Sequence, residues 1–254
     1  MKHWRVGWRT FWLALWVVNG LLVLGLVFPL SPLSVRLALK RQWSRVLLHL
    51  CGVRLKVSGE PAEQGAALWV MNHVSWLDIF VTNYVRSTTF VAKQEIRHWP
   101  VLGWLVAGAD TIFVQRGYRQ AVHRVGLDME SRFSRGQTVG LFPEATTSDG
   151  FDVLPFYANL FEPAKRSGAP VQPVALRYYH RGVRSDYVAF VGEQTFMDNL
   201  WRVLGTTGVT IELLFLDAMD ADETTTRNRH EIALWARETI QDALRESCSD
   251  SARE

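Results

Sequence analysis

The stretch Asn72-His73-Val74-Ser75-Trp76-Leu77-Asp78 follows the apolar run Leu68-Trp69-Val70-Met71. An imidazole can take a proton from a hydroxyl group near neutral pH. A carboxylate beside it fixes its tautomer and stabilises the imidazolium that forms. His73 and Asp78 are five residues apart, about 500° around a regular helix, so they do not share a helical face. They meet only if His73 sits in the turn before a helix and Asp78 in its first turn. Ser75 as N-cap would put Asp78 at the third helical position. The same spacing permits a plainer arrangement. Ser75-x-x-Asp78 is a capping-box variant, in which the carboxylate closes a helix end and His73 is only a loop residue.

Three later blocks also end an apolar run on polar or turn-forming residues. They are Ile112-Phe113-Val114-Gln115-Arg116-Gly117, Leu141-Phe142-Pro143-Glu144-Ala145-Thr146-Thr147-Ser148, and Ala169-Pro170-Val171-Gln172-Pro173-Val174-Ala175-Leu176. In a parallel sheet such ends gather on one rim and form a pocket. Singly, each has a structural explanation: Arg116 as a surface ion pair, Glu144 as a helix-start acid, Pro173 as an edge-strand device.

The elements that must carry these residues alternate along the chain. Strands are expected at Val53–Val57, Leu68–Met71, Thr89–Ala92, Thr111–Val114, Thr138–Phe142, Val171–Leu176, Tyr187–Val191 and Val209–Phe215. Helices are expected at Trp76–Val85, Tyr118–Ser134 and Thr226–Leu244. This alternation predicts an α/β domain over residues 52–246, with a mixed, mostly parallel sheet flanked by helices. A polar tail is expected at 247–254.

Residues 1–51 read as N-terminal membrane-anchoring helices. Phe11–Leu30 is twenty residues without a charge, the length a helix needs to cross the hydrocarbon core. Its length, and the lack of small residues before Pro29 and Pro32, argue against a cleaved signal peptide. Pro29-Leu30-Ser31-Pro32 breaks the helix. A second, amphipathic helix then runs from about Leu33 to Leu50. It is expected to align Leu39, Trp43, Val46, Leu47 and Leu50 on one face, with Arg36, Lys40 and Arg41 opposite. Bases flank the apolar run on both sides, so charge gives no orientation, and a full span and a re-entrant arrangement both stay open. Trp4, Trp8, Trp12, Trp16 and Trp43 suit either the membrane–water interface or an ordinary core.

Residues 1–60 hold nine Lys or Arg against one acid, Glu60; the remainder holds nineteen against twenty-four. A basic end beside an apolar run suits an anionic lipid surface. Nucleic acid is disfavoured, because no nucleic-acid motif accompanies the bases. Cys51 and Cys248 form no disulfide framework or zinc spacing.

The four blocks, in this order, resemble those of the glycerolipid acyltransferase family, which includes 1-acylglycerol-3-phosphate O-acyltransferases. The family's NHxSxxD is matched in full by Asn72, His73, Ser75 and Asp78. The apolar strand ending in arginine is matched by Phe113 to Gly117, and the proline block by Val171 to Leu176. FPEGTRS is matched in part by Phe142 to Ser148. The resemblance covers roughly residues 68–177.

The resemblance implies direct, non-covalent acyl transfer with His73 and Asp78 as the catalytic pair. His73 would be general base on the acceptor hydroxyl, and Asp78 would orient it. The activated hydroxyl would attack the thioester of acyl-CoA or an acylated carrier protein. Asn72, Ser75, Arg116, Gly117, Glu144, Ala145, Thr146 and Thr147 would form the substrate-binding region. No metal or permanently bound cofactor is implied. A membrane lipid surface, a lysolipid acceptor and the donor carrier are the implied partners. The implied location is the inner membrane of a bacterium, with the active domain facing the cytoplasm.

The third block reads FPEATTS. Alanine disfavours positive φ, so the turn at Ala145 is expected to be ordinary or slightly altered. Thr147 stands where the family has an arginine suited to hold phosphate through its fork. Either Arg116 with another base, Lys93 or Arg166, carries the acceptor phosphate, or the acceptor has none at that point. The second alternative, slightly preferred, resembles the branch that acylates lyso-ornithine lipids. Ser148-Asp149-Gly150 and Val153-Leu154-Pro155-Phe156 have the same character. Competing enzyme classes lack their signatures: there is no G-x-S-x-G for a serine hydrolase and no H-E-x-x-H for a zinc hydrolase. The non-enzyme alternative is an inactive membrane-binding module of the same fold.

Overall fold

The computed structural model describes residues 2–62, 65–115 and 119–250. Arg116 and Gly117 of the second block therefore lie outside the described residues, as does Tyr118. In chain order the elements are α1 (Lys2–Leu22), α2 (Leu33–Cys51), β1 (Val53–Ser58), β2 (Ala67–Met71), α3 (Asp78–Val85), β3 (Thr89–Lys93), α4 (Leu102–Gly108), β4 (Ile112–Val114), α5 (Arg119–Phe133) and β5 (Thr138–Leu141). They continue with α6 (Glu162–Ser167), β6 (Val171–His180), β7 (Val183–Arg184), α7 (Phe196–Gly205), β8 (Val209–Phe215), α8 (Ala221–Thr226) and α9 (Arg229–Asp250).

The strands form one sheet in the order β1-β8-β6-β2-β5-β3-β4, with β7 paired to β6. Strands β6, β2, β5, β3 and β4 run parallel, while β8 is antiparallel to β6 and parallel to β1. The central strand β2 is buried throughout, as a strand covered on both faces must be. One core layer packs Leu77, Val81, Leu47 and Leu204 against Trp69, Met71, Val174 and Leu176. The other packs Met129, Phe161, Ile232 and Ile240 against Leu68, Val70, Val139 and Ala175. After β2 the chain passes to the first layer through α3. After its neighbour β5 it passes to the second layer through α6. In open α/β sheets the carboxyl ends of parallel strands whose connections diverge in this way are where ligands are usually bound.

Several sequence expectations change. Tyr187–Val191 is a loop, not a strand: its apolar residues Val188 and Ala189 are buried, but their carbonyls receive the Asn199 amide instead of a ladder partner. Strand β6 continues to His180 and turns back through Arg181 (φ 56°) and Gly182 (φ 88°) into β7, both turn residues having the positive φ of a type I′ hairpin. The helix expected over Thr226–Leu244 is present but starts at Arg229, and a short first helix, α8, ends before it at Thr226. Asn228 begins the second, its Oδ1 accepting the amides of His230 and Glu231. That helix runs to Asp250, past the start of the expected polar tail.

Helix α1 is prolonged by π and 3-10 turns to Leu30. His3–Leu30 is long and apolar enough to cross a membrane. Trp4, Trp8, Phe11, Leu15, Val18 and Leu22 are all exposed, and their alternating spacing of four and three places them on one face. The other face docks on the domain. Trp16 and Trp43 stack at 6.3 Å, and each indole N–H donates to the other residue's carbonyl, at 3.1 and 3.2 Å. Gly20 permits this approach, since a Cβ there would come within 2.7 Å of the Trp43 indole nitrogen.

The bases of this region turn largely inward. Arg5 and Arg9 donate to carbonyls of Leu204, Gly205 and Thr206 at the end of α7. Arg36 donates to Ser31, and Arg41 and Arg45 to Tyr84 near the end of α3. Lys40, expected on the outer face of α2, points into the protein. Its Nζ donates to Thr88 at 2.5 Å and Ala109 at 3.0 Å, and burial lowers its pKa to about 8. Carbonyls left unpaired at helix ends attract such donors. Six of the nine bases read as a lipid-facing charge are thus engaged with backbone carbonyls.

Candidate active site

The loop after β2 is held at nearly every polar atom of its backbone. Glu144 Oε1 accepts the His73 amide at 2.7 Å. The His73 carbonyl accepts the Ser148 amide at 2.7 Å, and the Val74 carbonyl accepts the Phe190 amide at 2.9 Å. Asn72, buried, bridges to β6: its amide donates to the Leu176 carbonyl and its oxygen accepts the Leu176 amide. This ties the end of β2 to the strand that runs past it.

Asp78 is the first residue of α3, and Leu77, not Ser75, occupies the N-cap position without a side-chain cap. The side chain of Asp78 turns back. Its Oδ2 accepts three donors: His73 Nδ1 at 2.7 Å, the Val74 amide at 2.7 Å and the Ser75 amide at 2.9 Å. The two arrangements that the spacing left open therefore coexist on one oxygen. The carboxylate that closes the helix end is the one that holds the imidazole. Asp78 is completely buried, and buried polar oxygens need hydrogen-bond donors of this kind.

The His73 ring stacks on Phe142 with centroids 4.1 Å apart, and Phe142 stacks on Phe90 at 5.6 Å. Gly140 makes room below, since a Cβ there would meet the Phe90 ring at 2.5 Å. The His73 side chain is 21% exposed. With Nδ1 engaged by Asp78, Nε2 has no protein partner among the described residues. An Nδ1–H donated to the carboxylate leaves Nε2 with its lone pair outward, the form a general base requires.

The remaining candidates fall into two groups. Glu144 is buried, and both its oxygens are occupied, Oε1 by His73 and Oε2 by the Leu154 amide at 2.9 Å. Burial pushes its pKa up to about 7, against the pull of those two N–H bonds. Glu144 thus clamps the His73 loop to the 154 segment, as Asn72 and the Ser75 amide secure their own ends of it. Ala145, Thr146 and Thr147 form the turn after β5. Ala145 has φ 59°, so the turn is left-handed there despite the alanine, where the sequence leads one to expect an ordinary or slightly altered turn. Thr146 is exposed. The Thr147 hydroxyl donates to the Phe190 carbonyl. The first and third blocks meet directly, and the fourth joins them through Leu176.

One participant escapes sequence reading. Tyr178, buried on β6, donates its hydroxyl to Asp78 Oδ1. It lies two residues beyond the expected end of the strand at Leu176, so nothing in the local pattern singles it out.

A histidine backed by a buried carboxylate, at the carboxyl ends of diverging parallel strands, is an arrangement suited to activating a hydroxyl or water nucleophile in an α/β enzyme. Residues 54–177 match the acyltransferase family. The chain is 40% identical over 214 residues to the 1-acyl-sn-glycerol-3-phosphate acyltransferase of Neisseria meningitidis, covering 82% of this chain and 80% of that one. It is 32% identical over 214 residues to the lyso-ornithine lipid O-acyltransferase of Pseudomonas aeruginosa, covering 84% and 80%. The crystal structure of the 1-acyl-sn-glycerophosphate acyltransferase from Thermotoga maritima has the same fold, with a TM-score of 0.69 at 18% identity over 97% of both chains. The chain belongs to the acyltransferase family, and it is an acyl-transferring enzyme.

Proposed function

We propose that this enzyme acylates the free hydroxyl of a lysolipid at a membrane surface, with acyl-CoA or an acylated carrier protein as donor. The observation that carries the reading is the 2.7 Å contact between His73 Nδ1 and Asp78 Oδ2, which leaves Nε2 open. His73 Nε2 takes the hydroxyl proton as the oxygen attacks the thioester carbonyl. Asp78 stabilises the imidazolium. The tetrahedral intermediate collapses by breaking the carbon–sulfur bond, and the departing sulfur takes the proton from Nε2. The products are the diacylated lipid and the free thiol. The relatives named above, which act on lysolipid acceptors by name, support this reading.

Membrane association is supported by the apolar His3–Leu30 helix and by the exposed stripe of α1. A helix with one docked face and one exposed apolar face suits embedding along the lipid surface. In a bacterium the lipid surface concerned would be the inner membrane, with the catalytic domain on the cytoplasmic side, where thioester donors are made.

For the acceptor, Thr147 favours a head group without phosphate at that point. Its hydroxyl is committed to Phe190, and it brings no charge. A lyso-ornithine lipid fits this, and lysophosphatidic acid is the second reading. Membranes containing wild type or His73→Ala should be given labelled acyl donor with each acceptor. The proposal expects product from the wild type only. Equal product from His73→Ala would overturn the base role, and acylation of lysophosphatidic acid alone would reverse the order of acceptors.

A further inference from the structure

We infer that Tyr178 is a positioning residue for the acyl-transfer reaction, acting through Asp78 on the His73 base. This rests on the proposed role of His73 as base.

The geometry begins with strand register. Strand β6 pairs in parallel with β2, Met71 opposite Val174. It then continues beyond the end of β2, alongside the loop that bears His73. Val174, Leu176 and Tyr178 alternate onto the same face, the one that packs with Leu77 and Val81 of the α3 layer. Tyr178 is therefore carried by a rigid sheet strand to the underside of the catalytic loop, where its hydroxyl donates to Asp78 Oδ1.

The two carboxylate oxygens have different tasks. Oδ2 serves His73 and the Val74 and Ser75 amides. Among the described residues, Oδ1 has one donor, Tyr178. Two consequences follow. The phenol fixes the rotation of the carboxylate plane, so Oδ2 stays aimed at Nδ1. It also draws charge toward Oδ1, which moderates how tightly the pair holds its proton. A base must release that proton to the departing thiolate as readily as it accepts one. The phenol is suited to remain a donor: burial first, and Asp78 second, hold its pKa well above the ordinary tyrosine value. Other ionisable groups facing the pair are few among the described residues. Glu144 lies near enough for Asp78 to raise its pKa, and His73 is the partner itself.

Tyr179, the next residue, provides an internal control. It projects to the opposite face, and its hydroxyl donates to Glu212 Oε2 at 3.2 Å. Tyr178→Phe and Tyr179→Phe remove the same atom and a bond to a carboxylate from the same strand. Only the first reaches the dyad.

The test uses the full-length protein in mixed lipid–detergent micelles, with whichever lysolipid the wild type acylates. Tyr178→Phe is expected to lower kcat by about tenfold, the scale of one hydrogen bond to a charged group. KM for donor and acceptor should stay unchanged, and the acid limb of the kcat/KM profile should move to higher pH. Tyr179→Phe should leave kcat and the profile unchanged. Wild-type kcat and profile in Tyr178→Phe would overturn the inference, and so would an equal fall in Tyr179→Phe. If Tyr178→Phe fails to fold, difluorotyrosine at position 178 gives the reading with the packing preserved. Its more acidic phenol should move the acid limb to lower pH, and an unmoved limb would overturn the inference. Inactivity of the wild type, or full activity of His73→Ala, would instead condemn the underlying assignment of the base.

Discussion

His73 Nδ1 and the Val74 amide approach the same oxygen of Asp78, both at 2.7 Å. Orientation of the imidazole and closure of the helix are therefore one interaction. Asp78→Asn keeps the shape but replaces one oxygen by an NH2 group, which cannot accept. Loss of activity on the order of a thousandfold is expected by analogy with other His–carboxylate pairs, together with a lower melting temperature. Steady-state kinetics at equal folded concentration checks it. A normal kcat in the Asp78→Asn variant would reduce Asp78 to a helix cap.

Glu144 gives stability a pH dependence of known sign. Its pKa rises on folding from 4.5 to about 7. Between those values the folded state binds more protons than the unfolded one, so its contribution to stability falls as pH rises and is constant above about 7. Glu144→Gln removes this dependence. The variant's unfolding free energy should thus improve relative to wild type between pH 5 and pH 8, by on the order of 3 kcal/mol across the window, read by denaturant unfolding at each pH. It should also lose kcat, because the Gln amide can accept from only one of the His73 and Leu154 amides.

Ala145 carries a conformational cost that can be relieved. A non-glycine residue at φ 59° is strained by about 1 kcal/mol or more, partly offset by the greater chain entropy that glycine loses on folding. Ala145→Gly should raise the melting temperature by about 1–3 °C for a chain of this size. Ala145→Val should lower it, because a β-branched residue tolerates this region poorly. Thermal unfolding of the two variants side by side reads the difference.

Lys40 joins α2 to two chain segments at once. Lys40→Met preserves most of the side-chain volume but leaves the Thr88 and Ala109 carbonyls without their donor. Each orphaned buried acceptor costs about 1–3 kcal/mol. The expected result is a clearly lower melting temperature at pH 7, and a larger deficit at pH 9. Burial lowers the Lys40 pKa to about 8, so between about pH 8 and the unfolded value the folded wild type binds fewer protons than the unfolded chain and gains stability as pH rises, which the Met variant cannot do.

The strands around the site are legible because each is an apolar run ended by a turn, and the blocks that carry chemistry lie at those ends. Placing His73 in the turn ahead of α3 needs only the helical angle. What is not legible depends on register or on neighbours far along the chain. Tyr178 looks like any core aromatic until β6 is seen to outrun β2. Lys40 shares a spacing with Arg36, and only the docked position of α2 shows that it faces inward. The short helix α6 lacks enough turns to display a period. Helix α7, by contrast, has a signal that the expected elements miss: Thr195 and Asp198 form a capping box at its start.

A line of rings leads from the first helix to the His73–Asp78 pair: Trp16 touches Trp43, Trp43 touches Phe80, and Phe80 touches Trp76, two residues before Asp78. Packed aromatics transmit position with little play. If the outer face of α1 rests among acyl chains, as proposed, His73 is fixed at a set depth and never has to seek its acceptor in bulk water. The enzyme would then respond to the mole fraction of lysolipid in its own patch of bilayer, and dilution by inert lipid would slow it even when the total amount of acceptor is unchanged.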